Sequence, residues 1–264
     1  MKQEIAVAAW AESDDARSEA MQALVSQWRP ADEWPGFAAA DATQTGGLAT
    51  RGYFGAVCDG RYVYFVPEQH GEGGYPTHGN VLRLDTLSDF RAPSSFSAYD
   101  AGHTQGLQTR GYYGAVFDGR YVYFVPRQID MDLYHSRVLR LDTTGDFHDP
   151  ASWDAHDVGE AHSQQSAVFD GRYIYFCPGF SGDPHKEDEY CGRVIRYDTR
   201  AGFHDPSAYV SIDMTTFLGK QAACFDGGAF DGRYVYFVPL YKGYAVRYDT
   251  QAPFDSPEAW QGYD

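Results

Sequence analysis

The sequence contains few cysteines, few basic residues and no long apolar run. Its four cysteines show no C-x-x-C spacing, which argues against a cysteine-based metal site. Lys and Arg number 21 against 37 Asp and Glu, and the net charge of −16 repels the phosphates of nucleic acids and anionic membrane surfaces. No apolar stretch approaches the roughly 20 residues that a membrane-spanning helix needs. These shortages predict no nucleic-acid partner and no membrane partner. The charge suits a ligand that is neutral or cationic, but we favour the alternative that the acidic surface serves only to solvate the protein.

Signals for export and for common catalytic folds are also missing. Residues 1–10 have no basic segment followed by a long apolar one, which predicts a cytoplasmic protein, although the mature form of a secreted protein would look the same. Cys177 and Cys191 flank one predicted strand-to-strand loop, and we favour free thiols over a disulfide for them. No G-x-S-x-G, H-E-x-x-H, P-loop or Rossmann glycine pattern occurs in a fitting context. We therefore predict no cofactor, and the motifs leave open whether the chain is an enzyme.

The sequence is rich in aromatic residues and in one repeated phrase. Aromatics make up 16% of the chain, with 21 Tyr and 17 Phe, which favours β-strands. The phrase Asp-Gly-Arg-Tyr-(Val/Ile)-Tyr-Phe-(Val/Cys)-Pro occurs four times, at 59–67, 118–126, 170–178 and 231–239. Such repetition indicates one supersecondary unit that is copied and stacked. What all four copies share indicates scaffold, and function is expected where they differ.

Each copy predicts four antiparallel strands. Asp-Gly supplies the positive φ angles of a tight hairpin turn between the first and second strands. The proline ends the second strand, because it cannot donate to a ladder. A third strand carries a repeated arginine and ends in Asp-Thr, and an aromatic-rich fourth strand ends in Asp. The third strands are predicted at 81–86, 138–143, 194–199 and 245–250, and the fourth strands at 96–100, 153–157, 209–213 and 260–264.

Four antiparallel strands in a unit of about 50–60 residues predict an all-β fold of the β-propeller type. A strand-rich solenoid fits less well, because its repeats are usually shorter and its strands parallel. We predict a single domain over residues 1–264, with blade repeats at 42–100, 101–157, 158–213 and 214–264. Residues 1–41 are interpreted as a divergent partial blade, which gives five blades. A four-bladed ring with residues 1–41 as a cap is the alternative.

These motifs resemble a bacterial group of repeat propellers built from FDGRYVYFVP…HGxVxRYDT…F…SW…FD units, and more loosely they resemble Kelch-type and tachylectin-like propellers. The resemblance covers residues 37–264. It implies the propeller fold. It implies no particular activity and no catalytic residue.

Two sets of arginines recur in every copy and are interpreted as scaffold. An anion-binding ring is the alternative, but their identity in all four copies favours structural pairing with repeated aspartates or with loop carbonyls. The arginines are Arg61, Arg120, Arg172 and Arg233 after the Asp-Gly turn, and Arg83, Arg140, Arg196 and Arg247 in the third strand. The aspartates are Asp85, Asp142, Asp198 and Asp249.

The antiparallel order of the strands selects one rim of the propeller for a ligand. The start of the first strand, the loop after the second and the start of the third all lie opposite the Asp-Gly turn, and the copies diverge most there. First strands lie nearest the axis, so their starts are expected to form a polar funnel with aromatic walls. The expected ligand-binding residues are Arg51, Arg110, Gln164, Gln165, Lys220, Gln221, His78 and His135. Guanidinium groups pair with carboxylates and amides with hydroxyls, which suits a hydroxylated or carboxylated small molecule; a water-filled channel mouth is the alternative.

The starts of the third strands carry side chains of the types that bind zinc. His78, His135 and Cys191 occupy equivalent positions there. The third strand is two strands away from the innermost one and strands lie about 4.8 Å apart, so these side chains on different blades are expected to be more than about 10 Å apart. We therefore predict no metal.

Two functions of different classes follow from these patterns. The one we favour is binding of a polar small molecule or a glycan at the rim. The alternative is an enzyme, a lyase, isomerase or hydrolase, with a single off-symmetry axial site and Arg and Lys anchors for its substrate. In that case His162 or His103 is the general acid or base, and Tyr53 or Tyr112 donates a proton. A protein partner on the flat face of the propeller is a further alternative.

Overall fold

The structure, a computed structural model, describes residues 38–71, 76–131, 133–160 and 162–264. Its strands in chain order are β1 Gln44–Thr45, β2 Leu48–Ala49, β3 Tyr53–Cys58, β4 Tyr62–Pro67, β5 Asn80–Asp85, β6 Phe96–Asp100, β7 Tyr112–Phe117, β8 Tyr121–Pro126, β9 Gln128–Asp130, β10 Leu133–Tyr134, β11 Arg137–Asp142, β12 Trp153–Asp157, β13 Gln164–Phe169, β14 Tyr173–Pro178, β15 Arg193–Asp198, β16 Tyr209–Asp213, β17 Phe225–Phe230, β18 Tyr234–Pro239, β19 Ala245–Asp249 and β20 Trp260–Tyr263. The single α-helix assigned in these ranges is α1, Thr215–Leu218. Short 3-10 turns lie at Pro93–Ser95, Thr104–Gly106, Pro150–Ser152, Glu187–Glu189, Pro206–Ala208 and Pro257–Ala259.

The long strands form four antiparallel sheets of four strands each. Sheet 1 is β3-β4-β5-β6, sheet 2 is β7-β8-β11-β12, sheet 3 is β13-β14-β15-β16 and sheet 4 is β17-β18-β19-β20. Two short pairs, β1-β2 and β9-β10, stand beside them. Within each sheet the strands lie in chain order, because each long strand is joined to the next by a turn or loop.

The sheets are arranged around their first strands. β3 contacts β7, β7 contacts β13, and β13 contacts β17. Consecutive four-stranded sheets whose first strands meet at the centre are the architecture of a β-propeller, and this prediction is confirmed. Residues 42–264 form one compact unit. The number of blades stays a prediction, because residues 1–37 lie outside the described part of the chain.

The Asp-Gly turn is built by one carboxylate that holds three donors. In sheet 2, Asp118 Oδ1 accepts hydrogen bonds from the backbone N–H of Arg120 at 2.8 Å and of Tyr121 at 2.7 Å. Its Oδ2 accepts the hydroxyl of Tyr123 at 2.9 Å. Gly119 takes a φ of +104°, which the glycine permits without a steric penalty. The same bonds recur at Asp59, Asp170 and Asp231.

The two repeated sets of arginines have different structural roles. Arg120 pairs with Asp142 at 2.6 Å, and the equivalent pairs in the other sheets are Arg61–Asp85, Arg172–Asp198 and Arg233–Asp249. The predicted pairing with repeated aspartates is therefore confirmed for this set. The arginine of the third strand stacks on aromatic rings instead. Arg140 lies 4.3 Å from the ring centroid of Tyr121 in its own sheet and 4.0 Å from that of Phe203 in the next sheet.

This stacked arginine is repeated at each interface between described sheets. Arg83 lies over Phe147 and Arg196 over Phe254 in the same way, at 4.1 and 4.4 Å. The three phenylalanines are buried, whereas the equivalent Phe90 of sheet 1 is 38% exposed. A cation between two rings is attracted to both, which holds neighbouring sheets together.

Two further sequence predictions are tested by the described residues. All four cysteines are free thiols, as predicted for Cys177 and Cys191. None of the helices in the described ranges is long and apolar enough to cross a membrane.

Candidate functional site

Each first strand begins with a β-bulge at the rim opposite the Asp-Gly turns. In sheet 2, Tyr112 pairs with Pro126 and Gly114 with Val125, so Tyr113 is an extra residue without a partner in the ladder. The extra residue is Gln165 in sheet 3 and Asp226 in sheet 4, and sheet 1 has the same irregularity between Tyr53 and Ala56, where Phe54 lies. A bulge interrupts the alternation of side chains along a strand, so the side chain of the extra residue points in a different direction.

Two positions at this rim differ in all four copies. One is the bulge position, occupied by Phe54, Tyr113, Gln165 and Asp226. The other directly follows the proline of the second strand and is occupied by Glu68, Arg127, Gly179 and Leu240. We call Phe54, Glu68, Tyr113, Arg127, Gln165 and Asp226 the axial cluster. Since the scaffold positions are identical in the four copies, this divergence separates the cluster from the residues that build the sheets.

A buried ion pair links the loops of sheets 1 and 2 within the axial cluster. Arg127 Nη1 lies 2.5 Å from Glu68 Oε1, and the side chain of Glu68 is 8% exposed. Burial raises the pKa of Glu68, and the nearby guanidinium partly opposes that rise. Arg127 Cζ also lies 4.0 Å from the ring centroid of Tyr113, while Phe54 stacks on that ring at 3.6 Å. Since Phe54 covers one face of Tyr113, the guanidinium occupies the opposite face.

Asp226 brings a carboxylate from sheet 4 to the same group. Burial raises the pKa of Asp226, and the charge of Arg127 acts in the opposite direction. Burial also raises the pKa of Tyr113 to about 12; Arg127 lowers it, and the carboxylates of Asp226 and Glu68 raise it further. These groups therefore lie close enough to act on one another, although they come from sheets 1, 2 and 4.

Buried polar atoms without hydrogen-bond partners are concentrated at this rim. In the described residues they are His70 Nδ1, Arg110 Nε, Arg127 Nε, Gln164 Nε2, Gln164 Oε1 and Gln165 Oε1. Gln164 is 1% exposed and Gln165 is 2% exposed. A Cβ atom at Gly179 would lie 2.6 Å from Gln165 Nε2, so the glycine leaves room for this amide. A buried polar atom without a partner costs about 1–3 kcal/mol, and such atoms are normally paired with water or a ligand.

Three of the predicted catalytic side chains reach the start of the third strand in their own sheets. The hydroxyls of Tyr53 and Tyr112 donate to the carbonyl oxygens of Asn80 and Arg137, at 3.0 and 3.1 Å. In sheet 3 this contact is made by His162, whose Nε2 lies 3.2 Å from the carbonyl oxygen of Arg193. Burial raises the pKa of both tyrosines and lowers that of His162. Their roles in catalysis stay predictions.

His78 and His135 contact backbone groups at the rim through both of their ring nitrogens. Nε2 of His135 lies 3.0 Å from the carbonyl oxygen of Arg110, and Nδ1 accepts the N–H of Arg137 at 3.2 Å. His78 Nε2 lies 3.2 Å from the carbonyl oxygen of Gly52, and its Nδ1 accepts the N–H of Asn80. Cys191 Sγ accepts the equivalent N–H in sheet 3. Within the described ranges no group of three or more His, Cys, Asp or Glu side chains is arranged to hold a metal.

Acidification is expected to destabilise the protein through these histidines. Burial lowers the pKa of His135 from 6.5 to about 4, so the unfolded chain binds its proton at a higher pH than the folded protein does. The stability contributed by the neutral ring is complete above pH 6.5 and is lost as the pH falls from 6.5 toward 4. Urea unfolding at pH 7 and pH 5 should show a loss of about 2 kcal/mol from this residue.

The His135→Gln variant should show a smaller difference between the two pH values. His148→Gln, which replaces an exposed histidine on the opposite rim, is the matched control and should keep the full difference. An unchanged difference in His135→Gln would contradict the assignment.

The remaining predicted site residues lie at the rim with different degrees of exposure. Arg51, His103, Lys220 and Gln221 are exposed, and Arg110 is partly buried. Of the residues proposed from sequence, the structure brings Gln165 to the axial cluster. Sequence reasoning missed the other five members. A comparison of the residue after each repeated proline would have found Glu68 and Arg127, because the four copies carry four different residues there.

Two clefts lie outside the axial cluster, and their polar groups are paired. One, of about 340 Å³, lies beside Tyr121, Arg140 and Trp153 of sheet 2. There Asp154 already binds Arg140 at 2.9 Å and His204 at 2.9 Å. The other, of about 300 Å³, lies between the outer strands of sheets 2 and 3. The clefts contain none of the unpaired buried atoms, which makes the rim the stronger candidate.

No family model matches the chain, and no curated protein matches it. Among solved structures 254 chains match. One, from the crystal structure of a nidogen/laminin complex, shares 9% sequence identity, with a TM-score of 0.46 over 82% of this chain and 69% of that chain. At this similarity the match supports no inference about ligand or activity, and the fold is assigned from the sheets themselves.

Proposed function

We propose that the rim formed by the starts of the first strands binds a small polar molecule or a glycan over the axis of the propeller. The observation that supports this proposal is the position of the buried unpaired polar atoms. All six of those in the described residues belong to this rim, and three of them are the side-chain amide atoms of Gln164 and Gln165. A polar ligand would pair with amides that the protein itself leaves unsatisfied.

The composition of the axial cluster also supports a binding site. Its members differ between copies that are otherwise nearly identical, so selection for sheet formation does not explain them. They combine aromatic rings, an amide and charged groups, which is the mixture that small-molecule sites use to fix orientation. Bound water would pair with the same atoms, and binding measurements separate the two cases.

The other predictions made from the sequence remain proposals beside this one. They are an enzyme with an off-symmetry axial site, a protein partner on the propeller face, a five-bladed ring, the resemblance to the bacterial repeat group and a cytoplasmic location. No contact in the described residues favours a particular reaction.

Isothermal titration with a panel of glycans and polar metabolites tests the proposal. At least one compound should bind saturably, and Gln165→Met should weaken its affinity about tenfold or more, because the amide is lost. The unliganded variant should be as stable as the parent or about 1 kcal/mol more stable, because a buried amide with an unpaired oxygen is replaced by an apolar group of similar shape.

Gln251→Met is the matched control, since Gln251 is an exposed glutamine on the opposite rim. It should leave both affinity and stability unchanged. The proposal fails if no compound of the panel binds saturably, or if Gln165→Met binds as the parent does.

A further inference from the structure

Arg110, just before β7 at the rim, is a partly buried arginine whose side chain has no partner in the described residues. Its Nε is buried, whereas its two terminal nitrogens, which also lack partners, are not. Every other partly buried arginine of the described ranges is bound through its side chain. Acidic side chains bind Arg127, Arg137, Arg140 and Arg193, and tyrosine rings stack on Arg83, Arg196 and Arg247.

Backbone contacts hold Arg110 at the junction of sheets 1 and 2. Its carbonyl oxygen lies 3.0 Å from Nε2 of His135 in its own sheet. The next residue, Gly111, donates its N–H to the carbonyl oxygen of His78 in sheet 1, at 3.3 Å. The backbone that carries the arginine is therefore held from both sheets. A binding group on such a backbone loses less conformational entropy when a ligand binds.

Other basic side chains at this junction also have nitrogens without acceptors. His70 Nδ1 and Arg127 Nε are buried without partners. The ring of His70 stacks on that of His78 at 4.2 Å, and the N–H of Arg127 donates to the carbonyl oxygen of Gly111 at 3.1 Å. Three of the six unpaired buried atoms of the described residues are thus nitrogens of basic side chains around one junction. What the junction lacks is a hydrogen-bond acceptor.

The charge of Arg110 indicates which acceptor fits. Arg127 is neutralised by Glu68, whereas no described carboxylate forms an ion pair with Arg110. A guanidinium offers a planar fork of N–H donors that matches the two oxygens of a carboxylate. The net charge of −16 repels a group with two negative charges, such as a phosphate, more strongly than a group with one. A single carboxylate therefore suits this arginine best.

We propose that the rim site selects a small carboxylate of the sugar-acid type, whose carboxylate is bound by the terminal nitrogens of Arg110. This inference rests on the proposed binding function and narrows it. The sequence alone suggested a hydroxylated or carboxylated ligand; the unpaired arginine selects the carboxylated one.

Isothermal titration at pH 7 compares three carboxylates with neutral counterparts that carry a hydroxymethyl group instead. The pairs are glucuronate and glucose, galacturonate and galactose, and glycolate and ethylene glycol. At least one carboxylate should bind about tenfold or more tightly than its counterpart, because a hydrogen bond between charged groups is stronger than a neutral one. Glucose 6-phosphate, which carries its phosphate at the same end of the sugar, should bind more weakly than glucuronate.

Three variants assign the preference to Arg110. Arg110→Gln should bring the carboxylate and its counterpart to within about twofold of each other, since the charge is removed while a polar side chain remains. Arg110→Lys keeps the charge without the planar fork and should retain part of the preference. Urea unfolding should be unchanged in both, because the arginine has no partner to lose. Arg91→Gln, an exposed arginine on the opposite rim, is the control and should keep the full preference.

The outcomes separate this inference from the proposed function. If the neutral compounds or glucose 6-phosphate bind better than the carboxylates, or if Arg110→Gln keeps the preference, the inference is wrong while the proposed function stands. If no carboxylate binds but another compound of the wider panel does, the inference is likewise wrong. If nothing in either set binds saturably, both are wrong.

Discussion

Replacing Gly111 by alanine is expected to lower the free energy of unfolding by about 4 kcal/mol or more, among the largest effects of a single substitution. Gly111 has a φ of +76°, and a Cβ atom there would lie 1.6 Å from the carbonyl oxygen of Gln128. That contact is with backbone, so no side-chain rotation relieves it. Urea unfolding of the parent and the variant measures the difference.

Gly119→Ala in the same sheet is the matched control. Gly119 also has a positive φ, +104°, but a Cβ atom there would have no heavy atom within 4 Å. Its replacement should cost only the backbone strain of about 1–3 kcal/mol. If the two variants lose the same stability, the steric argument for Gly111 is wrong.

The Gly111 variant should also disturb the axial cluster. The carbonyl oxygen of Gly111 accepts the backbone N–H groups of Arg127 and Gln128, both at 3.1 Å. Any shift of this segment therefore moves the guanidinium that pairs with Glu68. A ligand bound by the rim should be lost in Gly111→Ala and retained in Gly119→Ala.

Replacing Asp118 by alanine is expected to lower the free energy of unfolding by about 3 kcal/mol. The carboxylate accepts three hydrogen bonds, from two backbone N–H groups and one buried tyrosine hydroxyl, and each contributes about 1 kcal/mol. Loss of the acceptor also leaves the hydroxyl of Tyr123 without its partner. Chemical denaturation at neutral pH gives the measurement.

Arg120→Ala tests a different interaction in the same hairpin. Arg120 pairs with Asp142, but its side chain is 58% exposed, and exposed ion pairs contribute at most about 1 kcal/mol. We therefore expect a small change. A loss as large as that of Asp118→Ala would mean that the ion pair, rather than the carboxylate in the turn, determines the stability of the hairpin.

The scaffold could be predicted from the sequence because its determinants are local and repeated. The Asp-Gly turn, the strand that ends at proline and the third strand with its arginine each involve residues close together in the chain. Four copies of the same phrase show which residues belong together, such as Arg120 and Asp142. Even so, the role of Arg140 was not predicted, because its second aromatic partner, Phe203, belongs to the next sheet.

The rim could be predicted as the place of the site, but most of its residues could not. Arg127 and Glu68 are 59 positions apart and meet only because sheets 1 and 2 are neighbours. The bulge adds one residue to each first strand, so the alternation of side chains cannot be followed across it from sequence. For this reason the sequence predicted Tyr112 as a site residue and not Tyr113 beside it. The hydroxyl of Tyr112 is in fact bonded to backbone.

His162 illustrates the same limit in sheet 3. From sequence it stood out as the residue that breaks the repeat, and it was therefore predicted to be catalytic. In the structure, Gln164 stands at the ladder position of Tyr112, and His162 makes the contact to the third strand that the tyrosine makes elsewhere. The histidine at position 162 thus restores the contact with the third strand that is lost when glutamine replaces tyrosine at position 164. A residue that departs from the repeat can therefore compensate for another substitution nearby, and it need not have a function of its own.

The bulges free three positions of the axial cluster from the pairing of the strands. Tyr113, Gln165 and Asp226 have no partner in the ladder, so exchanging any of them leaves the pairing of the neighbouring residues intact. Duplication of a blade therefore gives each copy a position that can change without disturbing the pairing of the strands. The preference of the proposed rim site can then diversify by single substitutions, and these positions could be varied together in a small library without changing the scaffold.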